Sequence, residues 1–223
     1  MIEIVLDTET TGLSVKQGHR IVEIGCIELK DRMPTKNKFH YLLNPERKVS
    51  KEAFEVHGYS DEFLSDKKKF SEIADKFLTF IDNKKLIIHN SEFDLSHLNN
   101  ELELIGKQKI DKIRVIDTLD LAKEKFPGSQ INLDSLCKKF RIDNSRRKKH
   151  NAIIDCELLA KVYVNLIDEK EPVLNFSNFT IDKIQGDLKN NIKYSKKIAK
   201  ITPEQIKIHK KFLKENFKKN FFE

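Results

Sequence analysis

The sequence predicts an α/β fold in which helices flank a mixed β-sheet, followed by a linker and a basic helical tail. Three strand-like runs open the chain, and strand and helix patterns alternate after them. Twelve Lys stand against four acids from residue 183 to the end, a surplus of eight, while the whole chain carries +7. Residues 1–182 therefore carry a net charge of −1, and the basic character typical of a polyanion-binding protein belongs to the tail.

The predicted sheet starts with residues 2–7 (IEIVLD), a β-branched run that ends at a Thr- and Gly-rich turn. Residues 21–29 and 39–43 form two further apolar runs, so an antiparallel start is expected. Residues 86–88 and 114–116 are short apolar runs among the later helical patterns. This order predicts that antiparallel and parallel pairs share one sheet.

The clearest predicted helix spans residues 70–81, with Ser71 as its expected cap. Its apolar positions repeat at helical spacing: Phe70, Ile73, Ala74, Phe77, Leu78 and Ile81. Further helices are predicted over residues 93–105, over a short segment capped by Asn132, and over residues 152–167.

The chain is predicted to comprise one globular domain with an appended tail. Residues 1–168 form the domain, residues 169–185 the linker and residues 186–223 the basic helical tail. Thr202-Pro203-Glu204-Gln205 has the form of a capping box with Pro at the first helical position. The apolar positions of the helix that follows are Ile206, Leu213 and Phe217.

Composition excludes several classes of protein. Three widely spaced cysteines predict reduced core residues rather than a disulfide framework or a zinc site. No run approaches the length of a membrane span, and the start MIEIVLD lacks the pattern of a signal peptide. The chain is therefore expected to be soluble and cytoplasmic.

Asp7 and Glu9 stand two residues apart at the end of the first predicted strand. Residues at this spacing share one face of a strand, so both carboxylates can aim at one site. Carboxylate oxygens suit hard divalent cations, which also bind phosphate oxygens. Taken alone, the pair fits either a phosphate-chemistry site or a solvated strand end.

Asp94 and Asp155 each lie near the start of a predicted helix, from where both could reach a site above the strand ends. His150 precedes Asp155 by five residues, which on a helix separates the side chains by about 140°. If both serve one site, His150 is expected in the loop before the helix.

Five motifs together resemble the exonuclease family that has four acidic residues and a histidine. They follow one another in the order and spacing of that family: DTETTG at 7–12, RIVEIG at 20–25, EAFEVHG at 52–58, HNSEFD at 89–94 and HNAIID at 150–155. The run at 126–163 adds a similarity to the proofreading members of the family. The resemblance covers residues 1–168 and implies a ribonuclease H-like sheet.

The resemblance implies a role for each matching residue. Asp7, Glu9 and Asp155 would ligate metal, with Asp94 completing the acidic set, and two divalent cations, Mg²⁺ or Mn²⁺, would be bound. His150 would be the general base, since its unperturbed pKa near 6.5 suits proton removal at neutral pH.

Substrate contact is implied for Glu52 and His57, together with Asp7, Glu9 and Asp155. Two alternatives stay open at this stage. His57 could instead pack within its turn, and Glu52 could be a solvated helix residue.

The implied activity is 3′→5′ removal of mispaired nucleotides from DNA by the proofreading subunit of a replicative polymerase. An RNA-trimming exonuclease of the same fold and a non-catalytic assembly subunit are the alternatives. The motifs separate DNA from RNA poorly, because the metals contact phosphate rather than sugar. The basic loop Arg146 to Lys149 is either a solvated loop or a set of phosphate contacts.

Two partners besides a DNA 3′ end are expected. The amphipathic tail, with Lys behind its apolar residues, is predicted to dock on the polymerase catalytic subunit. The run EPVLNFSNF resembles a sliding-clamp peptide only in part, because it lacks the usual Gln.

Overall fold

The computed structural model describes residues 1–167 and 202–216. The chain divides into two units, Met1–Pro172 and Val173–Glu223, and each described segment belongs to one of them. The predicted linker lies outside the described residues, as does most of the predicted tail. The boundary predicted at residue 168 therefore stays a prediction.

The first unit is built on one mixed sheet, as the sequence predicts. Its five strands are β1 (Ile2–Thr10), β2 (Ile21–Lys30), β3 (Met33–Leu42), β4 (Lys85–Ile88) and β5 (Val115–Asp117). The order across the sheet is β3-β2-β1-β4-β5. The first three strands pair antiparallel, whereas β4 runs parallel to β1 and β5 runs parallel to β4.

Helices cover both faces of this sheet. They are α1 (Lys51–His57), α2 (Asp61–Ser65), α3 (Phe70–Ile81), α4 (Ser91–Leu104), α5 (Thr118–Lys125), α6 (Leu133–Lys139) and α7 (Ala152–Leu166). On one face, α3 and α4 pack against the side chains of Ile4 and Leu6. On the other face, α5, α6 and α7 pack against Val5 and Ile27. The central strand β1 is thus buried on both sides.

The amphipathic pattern of α3 is confirmed, but the predicted cap is wrong. The helix begins at Phe70, whose side chain is buried against the sheet, so Ser71 already lies inside the first turn. The carboxylate of Glu72 accepts a hydrogen bond from the Lys69 backbone N at 2.7 Å instead. Burial of the first apolar residue therefore moves the helix start ahead of the expected capping residue.

The first strand is longer than predicted. Residues 2–7 were expected from composition, but β1 continues to Thr10 because Thr8, Glu9 and Thr10 still pair with β2. This extension keeps both Asp7 and Glu9 on regular strand. It also places Gly25 opposite Asp7 and Glu23 opposite Glu9.

The described part of the second unit is a helix, α8 (Pro203–Asn216). Its predicted capping box is confirmed, since the Thr202 backbone N donates to the Gln205 side chain at 3.0 Å and the Gln205 backbone N donates to Thr202 Oγ1 at 3.3 Å. Ile206 is exposed and Leu213 is half-buried, whereas Phe217 lies outside the described residues.

All three cysteines are buried and unpaired, as expected for reduced core residues. Within residues 1–167 and 202–216, none of the helices is both long and apolar enough to traverse a lipid bilayer.

Candidate active site

The acidic side chains converge beside the second half of β1. Asp7 and Glu9 project from the strand on the face that α7 covers. Asp94 lies in the first turn of α4 and is buried. Its Oδ1 accepts hydrogen bonds from Thr8 N at 3.0 Å and from Thr8 Oγ1 at 2.7 Å. These two bonds tie the start of α4 to the strand that carries the other two acids.

The start of α7 carries the remaining acid and the histidine. Asp155 lies in the first turn, and Asn151 is the N-cap, so His150 precedes the helix. The prediction that His150 lies off the helix of Asp155 is thereby confirmed. The helix approaches the sheet closely over Gly25, where an added Cβ would lie 2.6 Å from the Ala152 carbonyl carbon. Gly25, which lies opposite Asp7, therefore lets the first turn of α7 approach the acids.

The side chains of Glu9, His150 and Asp155 form one group with metal-ligand spacing. Their ligand atoms all lie within 4.8 Å of one another. His150 Nδ1 is 3.5 Å from Asp155 Oδ2 and 4.0 Å from Glu9 Oε1. Asp7 lines the same pocket, of about 380 Å³, as His150 and Asp155.

Burial, together with neighbouring negative charge, raises the affinity of Asp7, Glu9 and Asp94 for protons. Burial raises the pKa of Asp7, and the neighbouring charges of Asp94 and Glu9 raise it further. Burial also raises the pKa of Glu9 to about 8, with added repulsion from Asp155. Burial raises the pKa of Asp94 to about 7, although its hydrogen bonds from Thr8 oppose the shift. The cluster thus favours any species that brings positive charge.

A cation already occupies one end of the cluster, because the side chain of Arg147 lies in it. Arg147 Nε is 2.5 Å from Asp155 Oδ1, and its Nη2 is 2.7 Å from Oδ2. The other donors are carboxylate oxygens and one imidazole, and carboxylate oxygens suit hard divalent cations. Both the carboxylate ligands and the positive charge of the guanidinium beside Asp155 fit a divalent metal site.

The electrostatic surroundings keep His150 neutral. Burial lowers the pKa of His150, and the Arg147 guanidinium lowers it further. Arg147 Nη2 lies 2.9 Å from His150 Nδ1 and 3.2 Å from Nε2, and a guanidinium can only donate, so it faces whichever ring nitrogen carries the lone pair. The neutral form of the ring keeps one nitrogen as a proton acceptor.

A buried carboxylate beneath the site, Glu23, holds the His150 segment in place. Glu23 is fully buried on β2. Its Oε2 accepts from Tyr59 Oη at 2.9 Å and from Ala152 N at 3.0 Å. Its Oε1 accepts from Asn151 Nδ2 at 2.8 Å and lies 2.6 Å from His40 Nε2. One side chain thus joins β2, β3, the segment after α1 and the start of α7.

A second pocket, of about 350 Å³, opens next to Glu9. Glu52 and His57, the two predicted substrate residues, both line it. His57 is buried, and its Nδ1 accepts from Tyr59 N at 3.0 Å, so it has a structural role as well. Glu52 is exposed at the pocket wall. Apolar side chains of Leu13, Val56 and Phe93 complete much of the lining.

Several residues of the site escaped prediction. Glu23 lies in the motif at 20–25, where no site residue was predicted. Arg147 lies in the basic run at 146–149, for which phosphate contacts were only one of two alternatives. The apolar lining by Leu13, Val56 and Phe93 was also not expected. Only Arg147 carried a usable signal, because it lies three residues before His150 in a basic run.

Comparison with known proteins identifies the family of the chain. The model of the Exonuclease family, RNase_T, matches residues 4–163. The DNA polymerase III subunit epsilon of Rickettsia felis is 45% identical over 217 residues, which span 95% of each chain. The same subunit of Escherichia coli K12 is 45% identical over 170 residues, which span 73% of this chain and 70% of that one.

Solved structures agree on the fold. The nuclease domain of 3′hExo, a DEDDh family member bound to rAMP, superposes with a TM-score of 0.65 at 17% identity. The match covers 76% of this chain and 92% of that domain. With a family model matching most of its length and relatives so similar over nearly all of it, the chain belongs to the RNase_T exonuclease family, alongside the epsilon subunits of bacterial DNA polymerase III.

Proposed function

We propose that this chain is the 3′→5′ proofreading exonuclease of a bacterial replicative DNA polymerase. The observation that carries the proposal is the convergence of Glu9, His150 and Asp155 within 4.8 Å, beside Asp7 and Asp94, in a chain so similar to epsilon subunits. The reaction is hydrolysis of the terminal phosphodiester bond, which releases nucleoside monophosphates. Such a subunit acts on the chromosome and therefore in the bacterial cytoplasm.

Two divalent cations, Mg²⁺ or Mn²⁺, are proposed as cofactors. Asp7, Glu9 and Asp155 would hold them, with Asp94 completing the set. When bound, such ions supply positive charge to the scissile phosphate and the leaving 3′ oxygen and favour ionisation of the attacking water. Burial and repulsion by neighbouring acids, which raise the pKa values of Asp7 and Glu9, support this assignment, because a bound cation would stabilise the charged carboxylates.

Proton transfer is assigned to His150. Its Nδ1 lies 3.5 Å from Asp155 Oδ2 and 4.0 Å from Glu9 Oε1, beside the proposed position of the attacking water. Once Arg147 has left the ring, its unprotonated nitrogen accepts the proton that the water loses, and the exposure of the ring lets that proton pass on to solvent.

The pocket beside Glu9 is the proposed place of the 3′-terminal nucleotide. Its apolar wall at Leu13 and Phe93 can pack against an unpaired base, and Glu52 and His57 offer polar contacts to the sugar. Only a melted end can enter, and melting costs less at a mispaired end than at a paired one. Selectivity for errors then follows from the stability of the duplex end.

The activity is tested by digestion of matched substrates with the full chain and Mn²⁺ or Mg²⁺. The substrates are DNA with a paired 3′ end, the same DNA with a mispaired end, and RNA of the same sequence. We expect release of nucleoside monophosphates severalfold faster from the mispaired DNA than from the paired DNA, and none with a chelator present.

Two results would contradict the proposed function. Faster digestion of RNA than of either DNA would favour RNA trimming instead. A protein that binds the polymerase catalytic subunit but digests none of the substrates would be a non-catalytic assembly subunit.

The tail is proposed to bind the catalytic subunit of the polymerase. In α8, Ile206 and Leu213 are seven residues apart and share one helix face, whereas Ile208 lies on the opposite face. An amphipathic helix of this kind lays its apolar face in a partner's groove, and its lysines favour an acidic rim. Binding of a sliding clamp by residues 171–179, outside the described part of the chain, is a further and separate proposal.

Replacing both Ile206 and Leu213 by Glu is expected to weaken binding to the catalytic subunit by about tenfold or more, because buried apolar anchors carry most of the energy of such interfaces. Surface plasmon resonance with the full chain measures the effect. The control is Ile208→Glu, which adds the same charge on the other face and is expected to change affinity less. Equal loss in the two variants would contradict docking by this face.

A further inference from the structure

Arg147 reaches into the acidic cluster from the loop between α6 and α7. Its side chain is only 7% exposed, although the three basic residues around it, Arg146, Lys148 and Lys149, are exposed. Arg146 turns outward to Glu157, at 2.9 Å, and Lys149 lies over the ring of Phe54. Of these four residues, only Arg147 forms an ion pair with a catalytic acid, so the basic run is not simply a solvated loop.

The contacts of Arg147 engage the two groups that the reaction needs. Its guanidinium donates to both carboxylate oxygens of Asp155, whose side chain is 4% exposed. Its Nη2 also lies 2.9 Å from Nδ1 and 3.2 Å from Nε2 of His150, so it can donate to the unprotonated ring nitrogen. In this arrangement Arg147 competes with a metal ion for Asp155 and with a proton for His150.

A metal ion at Asp155 competes with this arrangement. A divalent cation must bind at least one of the two carboxylate oxygens that Arg147 now engages. Two positive charges at contact distance also repel strongly in a partly buried site. Metal binding at Asp155 is therefore expected to displace the guanidinium.

A second anchor keeps the arginine at the site once it has moved. Arg147 Nη1 donates to Asp134 Oδ2 at 2.6 Å, and Asp134 is 53% exposed at the rim. Asp134, Arg147, His150 and Asp155 all line one pocket. A guanidinium held by Asp134 alone keeps free N–H groups facing that pocket. The planar fork of arginine matches the oxygens of a phosphate group.

We propose that Arg147 is an exchange residue of the nuclease: it neutralises Asp155 before the metal binds, and afterwards it binds a phosphate oxygen of the substrate strand. The exchange releases the unprotonated ring nitrogen of His150 at the same time. This inference rests on the proposed nuclease function for its phosphate step. The metal step rests on the contacts of Arg147 alone.

The metal step is tested by titrating the full chain with Mn²⁺ alone, without DNA, by isothermal calorimetry. In Arg147→Gln the competing cation is gone, so we expect Mn²⁺ to bind about tenfold more tightly than in the wild type, equivalent to about 1.4 kcal/mol. Arg147→Lys keeps the charge but can contact only one oxygen well, and its affinity should fall between the two. This second variant keeps the test usable if Arg147→Gln folds poorly. Arg146→Gln is the matched control and should bind Mn²⁺ like the wild type.

The phosphate step is tested by the steady-state kinetics of the same proteins on single-stranded DNA. At saturating Mn²⁺, Arg147→Gln should raise KM by about tenfold, the loss expected for a charge-assisted contact to phosphate. Unchanged or weaker Mn²⁺ binding in Arg147→Gln would overturn the proposal, and so would an unchanged KM. If the wild type digests no DNA, the proposed function fails, but the Mn²⁺ titration still decides the metal step.

Discussion

Replacing Asp7 by Asn is expected to lower kcat on DNA by about a thousandfold, as loss of one preorganised electrostatic group does in other hydrolases. Asn keeps the size of Asp but lacks its negative charge, so the cluster loses a ligand without losing its shape. Digestion of the mispaired DNA in Mg²⁺, with single-turnover rates, measures the loss. Asp7→Ala should lose at least as much activity.

The same substitution is expected to stabilise the protein when no metal is present. Burial and the charge of Asp94 raise the pKa of Asp7 on folding. A carboxyl group with a raised pKa weakens the folded state as pH rises above its unfolded pKa, so at pH 8 a charged Asp7 opposes folding. Asn removes this cost. We expect the melting temperature in EDTA to rise by about 2–4 °C, the shift that accompanies about 1 kcal/mol in a domain of this size.

The opposite signs of the two effects separate a catalytic role from a structural one. Asp75→Asn is the matched control, because Asp75 is 85% exposed and pairs only with a surface lysine in the described structure. It should change neither the rate nor the melting temperature. A lower melting temperature in Asp7→Asn than in the wild type would contradict the argument from burial and repulsion. An Asp7→Asn variant that keeps the wild-type kcat would show that Asp7 is not a metal ligand.

The parts of the site that could be predicted are those that local sequence determines. Asp7 and Glu9 lie on one strand, so their shared face follows from the two-residue period. The position of His150 before α7 followed from helical geometry, because a separation of about 140° cannot bring two side chains of one helix to one site. Such inferences need no knowledge of the rest of the chain.

The parts that could not be predicted depend on contacts between distant segments. Glu23 meets Tyr59 and Asn151, which lie 36 and 128 residues away along the chain. Four adjacent basic residues carry equal charge in the sequence, and only tertiary packing turns Arg147 inward. The strand end was misjudged for the same reason, since pairing with β2 extends β1 to Thr10.

Glu23→Ala is expected to have the largest effect on stability, with a loss of about 3 kcal/mol in the free energy of unfolding. The substitution leaves a cavity and removes the acceptor of Tyr59 Oη and Ala152 N and one of the two acceptors of Asn151 Nδ2; these groups are buried or partly buried. Breaking a buried charged network by removing one partner costs roughly 3–5 kcal/mol, and the partial exposure of some partners favours the lower figure. Denaturation in urea measures the loss.

Glu23→Gln separates positioning from folding, because the amide fills the same space. It can still accept hydrogen bonds through its oxygen, but its NH₂ group must face either the Ala152 N–H or the Asn151 amide. We expect the variant to fold with a smaller loss of stability. The start of α7 should shift, and with it His150 and Asp155.

A displacement near 1 Å of catalytic groups can cost about a hundredfold in rate, so kcat of Glu23→Gln should fall by about that factor while KM changes little. Tyr59→Phe removes one donor to Glu23 and one acceptor of Asn151 Nδ2 but leaves both α7 contacts of Glu23 intact, so it serves as the matched comparison with a smaller loss. If Glu23→Gln folds and keeps the wild-type kcat, the hydrogen-bond network of Glu23 stabilises the fold but does not position the catalytic groups. A fall in kcat with KM preserved would instead mean that a carboxylate with no contact to the reacting atoms sets the geometry in which His150 and Asp155 work.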